Sequence, residues 1–488
     1  MTDRIRQQQY LAKNSVLPAW SVSFRDDPTC PIGVREDLAK NMVANVAVRG
    51  ERVRNDFDRI SIFKRPIYNA TWNNKTERWE DLVKQGEADF TLTPTKENRE
   101  VVYRCQPFWY RLEMGQKYGP VFVSVSAQPL AGYSLAPMFK NGTDFVFRPS
   151  FELALDENGI PHSRAGLKPF EGTPTELVSH VRSYGSKART ETTAEWFSDY
   201  LLLLVEFGRR DLHNVMHGYW GHRFYIEGDC DRTDDREFYH FTTDDAFPFT
   251  VNEQYLLSYS DYQSEPISKF VVVTLRSIAP REDGLYMLDF GLENMAHLVD
   301  DCIEFEIKLL PTRTGEAIRL VTSASSGTAG ESRDAIAPIV WRGKENPWGN
   351  TASFMCDMIY QVQENRIFFP YHLDSISHFD GTPNKHYTSC SVKGYSLSAY
   401  AVYFITGFSQ GTLPHILIPT SSTLYNPEKY WSTHMWVDSN TVGATKFLRM
   451  GGNSRSVICV NHGSFELIED NKVGEGFGGR LVLEGGTV

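Results

Sequence analysis

From Ile60 to about Phe147, apolar and polar positions alternate or cluster at short range, as half-buried strands require. FTLTP (90–94), EVVYRC (100–105), FWYRLEM (108–114), YGPVFVSVSA (118–127) and DFVFRP (144–149) read as strands, with Gly, Pro and Asn between them. The pattern then changes period. Trp196, Tyr200, Leu203, Leu204 and Phe207 recur at helical spacing, and Thr192 and Glu195 stand three apart, as in a capping box. This predicts a helix over about 193–216 whose apolar face packs into the main core. Strand character returns in YLLSYSDY (255–262), KFVVVTLRSI (269–278), GLYMLDF (284–290), CIEFEIKLL (302–310) and AIRLVTSAS (317–325). SSGTAGESRDA (325–335) reads as a flexible loop, and VREDLAKNMVANVAV (34–48) as a short helix. Beyond 341 the chain is aromatic, Gly-rich and short of helix signals. Its strands are short: SAYAVYFITG (398–407), HILIP (415–419), KFLRMGG (446–452), SVICVN (456–461) and GRLVLEG (479–485). The expected class is α+β and β-dominated, with an N-terminal β-rich region and one central packed helix.

Composition narrows the function classes. The 488 residues are 41% hydrophobic and 23% charged, ordinary for a folded chain of two to four domains. Lys and Arg total 50 against 61 Asp and Glu, a net charge of −11, which disfavours nucleic acid as a partner. The longest aliphatic stretch, Leu201 to Val205, is far short of a membrane-spanning helix, and MTDRIRQQQY lacks the apolar core of a secretory signal. The seven Cys are sparse, with no CxxC pair, so free thiols made in a reducing cytoplasm are expected.

The candidate chemical motifs are weak. HNVMH (213–217) sets two His at i and i+4, a spacing that can hold zinc, with His222 or His240 as a third ligand, but Asn214 stands where the protease motif needs Glu. GEGFGG (474–479) satisfies GxGxxG, yet only nine residues follow it and they read as a strand, so a tight turn is expected. DCDRTDD (229–235) lacks the glycine and closing Glu of an EF-hand. No catalytic constellation emerges.

An ordered series of segments carries a family resemblance. It comprises NDFDRISIF (55–63), AGYSLAPMFK (131–140), FVFRPSFELALDENGIPHSRAGLKP (145–169), ARTETTAEWFSDYLLLLVEFGRRDLHNVMHG (188–218), WRGKENPWGNTASFMCDMIY (341–360) and GGNSRSVICVNHGSFELIEDNKVGEGFGGRLVL (451–483). The series is similar to bacteriophage tail-fibre and receptor-binding proteins whose C-terminal part has a C-type-lectin-like fold, related to formylglycine-generating enzymes and to retroelement variable proteins. It implies five segments: an N-terminal attachment segment (1–50), a β-rich domain (51–130), a first lectin-like part with the core helix (131–230), a β-rich insertion (231–340) and the rest of the lectin-like domain (341–488).

The resemblance also implies a role. The protein would be a virion tail adhesin, made in the host cytoplasm, homotrimeric and without cofactor or catalytic activity. It would hold other tail proteins through its N-terminal part and a glycan or protein receptor through its C-terminal part, with no membrane insertion. Ligand contact would fall on Tyr430, Trp431, His434, Trp436, Asn453, Arg455, Asn461 and His462, where aromatics and Arg give large contact at low entropic cost. Glu345, Asn346, Trp348, Gly349, Asn350 and Arg480 are expected to be scaffold: a tight turn with Trp348 buried and Arg480 pinning it through carbonyls or a carboxylate. The chain departs from the family at Asn453-Ser454-Arg455, where a Trp is common. It also lacks the calcium-dependent sugar motif and the copper-binding Cys pair near Cys459. A purely architectural virion role, an enzyme on the oxidase-like fold and a His-metal hydrolase remain the alternatives.

Overall fold

The computed structural model describes residues 17–488 except 186–187, 220–223, 227–239, 244–248, 262–268, 285, 292–301, 321–324, 392–401, 412, 414–416, 425–433, 438–440, 453–461, 463, 470–477, 484–485 and 488. The fold is α+β and strand-dominated, 38% strand against 12% helix. Two α-helices stand among the described residues: α1, Pro174–Arg182, and α2, Thr193–Phe207.

Helix α2 is the centre of the molecule. Glu195 accepts from the backbone N–H of Thr192 at 2.8 Å and from its hydroxyl at 3.1 Å, closing the expected capping box. Every residue of α2 except Ala194 is buried. The helix is shorter than its periodicity predicts. Gly208 takes φ +63° and donates to the Leu204 carbonyl at 2.9 Å, a left-handed cap that ends the helix nine residues before His217. Between Gly208 and His217 a single 3-10 turn forms, Leu212–Asn214.

Two five-stranded sheets carry the N-terminal part. One runs, in spatial order, Val34–Asp37, Trp20–Ser23, Pro120–Ser126, Trp109–Met114 and Ser134–Leu135. The other runs Val146–Pro149, Arg99–Cys105, Ile67–Asn73, Arg78–Lys84 and Gly486–Thr487, so the chain's end pairs with its early strands. Four local expectations change, the first two because the segments pair as strands. VREDLAKNMVANVAV forms the strands Val34–Asp37 and Ala47–Val48 instead of a helix, because Trp20–Ser23 supplies a ladder for the first. SSGTAGESRDA holds the strand Ser326–Thr328, fixed between Ile339–Trp341 and Ala47–Val48. AIRLVTSAS gives a 3-10 turn at Ile318–Leu320, and FTLTP forms no strand.

The eight-stranded sheet of the C-terminal part comprises β1 (Ser353–Gln363), β2 (Ile367–Leu373), β3 (Tyr387–Ser389), β4 (Val402–Gln410), β5 (Leu417–Leu424), β6 (His434–Val437), β7 (Thr445–Met450) and β8 (Phe465–Ile468). Their order is β3-β2-β1-β7-β8-β6-β4-β5. The larger core cluster draws on all five sequence segments, with Val22, Val101, Leu201, Ile318 and Trp341 among its members. Burial of this order supplies the main drive for the fold.

Candidate functional site

The sequence landmarks meet in one buried polar network beside α2. Carboxylates at 191, 195, 199 and 206 line the helix and the turn before it. Arg65 donates to Asp199 at 2.6 Å, and Lys344 donates to Glu191 at 2.8 Å and to Asp199 at 3.1 Å. Arg148 pairs with Glu191, and Arg189 with Glu195 at 2.8 Å. Further along, Arg342 grips Glu206 through Nε and Nη2, both at 2.7 Å. Burial alone would raise these carboxyls. For Glu191 the charges of Lys344, Arg148 and Arg480 outweigh burial and hold it at about 2. For Asp199, Arg65 and Lys344 outweigh burial in the same direction.

The WRGKENPWGN segment is built into this network. Trp348 is buried and donates to the Met216 carbonyl at 3.1 Å. Gly349 takes φ +77°, and a Cβ there would lie 2.8 Å from the Tyr219 carbonyl oxygen. Asn346 and Asn350 also take positive φ, and both donate to Glu152, at 3.0 and 2.6 Å. Glu345 accepts from the backbone N–H of Gly315, Ala317 and Ile318. Arg480 donates to the Glu345 carbonyl, to that of Asn346 at 3.0 Å and to that of Ser150 at 3.3 Å. The expected turn, its buried Trp and its pinning Arg are therefore present.

The residues expected to touch a ligand fall into three groups. Tyr430, Trp431, Asn453, Arg455 and Asn461 lie outside the described residues. His434 and Trp436 belong to β6, opposite Phe404 and Val402 of β4, and Trp436 is half-buried against the second core cluster. His462 is a correction. It is 1% exposed, stacked on Trp196 at 5.0 Å, and its carbonyl accepts from Trp196 Nε1 at 2.6 Å. Burial, then Lys344, pushes its imidazole down to about 4, so it is a neutral part of the core.

Strand direction brings the flanks of the expected surface together. Phe465 of β8 pairs with Met435 of the parallel β6 on one side and with Met450 of the antiparallel β7 on the other. The connection entering β6 and the connection from β7 to β8 therefore meet the sheet at the same end. These are the stretches that carry Tyr430, Trp431, Asn453 and Arg455. Trp196 of α2 lies under this end, 5.9 Å from the Phe465 ring.

The other motifs separate. His213 and His217 do not share a helix face, because only His213 lies in the 3-10 turn after Gly208. Burial pushes His213 down to about 4. DCDRTDD lies outside the described residues, as do 474–477 of GEGFGG; Gly478 bridges Ser353. Cys30, Cys105, Cys356 and Cys390 are free thiols, with Cys356 in the second core cluster; Cys459 lies outside the described residues. A cleft of about 350 Å³ opens between Arg78, Lys140, Asp144 and Phe145, with the Arg189–Glu195 pair in its wall.

One cluster was missed in the sequence. Asp374, His378 and His386 converge, with ligand atoms all within 4.8 Å of one another. The signal available was two His flanking the turn-rich FDGTPN, eight apart, with an Asp four before the first. Comparison with protein-family models finds no match, and comparison with curated proteins finds none either.

Proposed function

We propose that this chain is a tail adhesin of a bacteriophage, presenting a receptor-contact surface at one end of its eight-stranded sheet. The observation that supports this most is the placement of Phe465 between Met435 and Met450. The strand ends that border the two aromatic, Arg- and Asn-bearing connections therefore lie at one end of the sheet, where Trp196 of α2 stands 5.9 Å from the Phe465 ring. The buried network fits the same reading. Its charged groups are spent on one another and on backbone carbonyls, so they fix a rigid platform, and rigid platforms present loops at low entropic cost. Recognition would then rest on surface complementarity with no bond chemistry. Trimerisation would multiply weak contacts through avidity.

The test is a reconstruction of the virion that places the chain. The proposal expects a position at the fibre or tip, three-fold symmetry, the 20–37 hairpin toward the tail and the 425–461 connections outward. A position inside the capsid or tail tube, or those connections buried by neighbouring proteins, would overturn it in favour of an architectural role.

A further inference from the structure

Asp374 and His386 stand at the neck of the hairpin that joins β2 to β3. Leu373 pairs with Tyr387, and the Asp374 N–H donates to the His386 carbonyl at 2.9 Å, so the sheet register itself sets these two side chains together. A 3-10 turn, Ile376–His378, brings the third residue back. Ser375 caps it, its hydroxyl oxygen accepting from the Ser377 N–H. Asn384 braces the return from both sides, donating to the His378 carbonyl at 3.2 Å and accepting from the His386 N–H at 2.9 Å. The two imidazoles stack with centroids 3.7 Å apart. Each presents Nδ1 to a different oxygen of the same carboxylate, His378 at 2.6 Å and His386 at 3.1 Å.

We propose that Asp374, His378 and His386 bind one divalent transition-metal ion of the zinc class. Zinc–nitrogen and zinc–oxygen bonds of about 2.0–2.2 Å put neighbouring donors about 2.9–3.5 Å apart in a tetrahedral or octahedral shell. The observed 2.6 and 3.1 Å need shifts of only a few tenths of an ångström to reach that spacing. Two imidazoles with one carboxylate select this class over calcium and magnesium, which take oxygen ligands. Asp374 supplies the oxygen donor and the two imidazoles supply the nitrogen donors. On binding, each neutral imidazole carries its proton on Nε2, and the metal takes the place of the ring proton that faces the carboxylate.

The physical case turns on exposure. All three side chains reach solvent, at 42%, 43% and 31%. Burial therefore does not force the two imidazoles together; the shared Asp374 carboxylate holds both Nδ1 atoms toward one point, where an ion could take all three donors. Three protein ligands also leave a coordination position facing outward, for water or for a donor from another molecule. The bound ion would staple the 374–386 loop to the sheet at its β3 edge. This site is independent of the adhesin reading, and either can stand without the other.

The test uses the full chain, stripped with chelator and titrated with zinc alone. Calorimetry and elemental analysis are expected to show one ion that is lost in the H378A/H386A double variant and kept in H213A/H217A. D374N, an exposed and conservative change, is expected to weaken uptake at least about tenfold while leaving the circular dichroism unchanged, which covers the case of a double variant that fails to fold. No uptake by the wild type, uptake unchanged in D374N and in the double variant, or loss confined to H213A/H217A would overturn the proposal.

Discussion

Glu206→Gln changes one atom and one charge in a fully buried site. The two carboxylate oxygens of Glu206 divide four donors: Oε1 takes Asn55 Nδ2 at 2.8 Å and Arg342 Nη2 at 2.7 Å, and Oε2 takes Trp341 Nε1 at 2.9 Å and Arg342 Nε at 2.7 Å. Whichever oxygen becomes the amide nitrogen, two donors face a donor. The Arg342 guanidinium keeps one bond to the remaining oxygen, the Phe63 carbonyl at 3.1 Å and Asp58 at 3.2 Å, whose side chain is 26% exposed. Removing one partner of a buried ion pair costs about 3–5 kcal/mol, and each orphaned buried donor about 1–3 kcal/mol, in overlapping measure. A loss of about 4 kcal/mol is expected in urea unfolding followed by Trp fluorescence, with the slope on urea unchanged. The double variant Glu206→Leu/Arg342→Met should lose at least about 2 kcal/mol less than the sum of its single changes, because it leaves neither charge orphaned. A loss under about 1 kcal/mol for Glu206→Gln, or strict additivity in the cycle, would refute the claim that this pair locks the helix to the WRGKENPWGN segment.

Three further outcomes are expected. Arg480→Lys keeps the charge but loses the planar fork that reaches three carbonyls, and should destabilise by roughly 2–4 kcal/mol in the same assay. Gly349→Ala forces a Cβ against the Tyr219 backbone at φ +77°, and should lower stability by more than about 1 kcal/mol in thermal unfolding. Burial raises Glu345 to about 7, so it adds stability as the pH falls through 7; in the Glu345→Gln variant, which removes that opposing contribution, stability should fall in two stages on acidification, read as the thermal midpoint from pH 8 to pH 3. His213 and His462 have folded values near 4, below the ordinary 6.5, so their contribution is complete above 6.5 and is lost as the pH falls toward 4. Glu191, held at about 2 against an ordinary 4.5, loses its contribution from 4.5 downward, so a flat profile from pH 8 to pH 4 would contradict the buried assignments.

What the sequence disclosed divides along contact range. The start of α2 was legible because a capping box is a three-residue signal. Its end was not, since Leu212, Val215 and Met216 continue an apolar pattern that Gly208 overrides with one left-handed residue. The strand Ser326–Thr328 was hidden because its Ser, Gly and Thr carry turn propensity, and only the pairing with Ile339–Trp341 and Ala47–Val48 makes it a strand. Buried Trp348 and the carbonyl-gripping Arg480 were anticipated from the resemblance and its turn residues. The partners of the α2 carboxylates were out of reach: Arg342 lies 136 positions from Glu206, and no local pattern encodes that pairing. His462 was misplaced for the same reason, since an Asn-His-Gly stretch reads as surface until Trp196 covers it.

The proposed receptor contact falls on the connections that adjoin the strand ends at Met435, Phe465 and Met450. The most direct measurement is titration of the labelled full-length chain onto cells of the host bacterium, wild type against a variant with Tyr430, Trp431, Asn453 and Arg455 all changed to Ala. The account predicts saturable binding by the wild type and at least about a hundredfold weaker binding by the variant, with the same thermal midpoint, since contact anchors of this kind carry about 1–2 kcal/mol or more each. Equal binding by the two proteins, or no binding by the wild type, would contradict it.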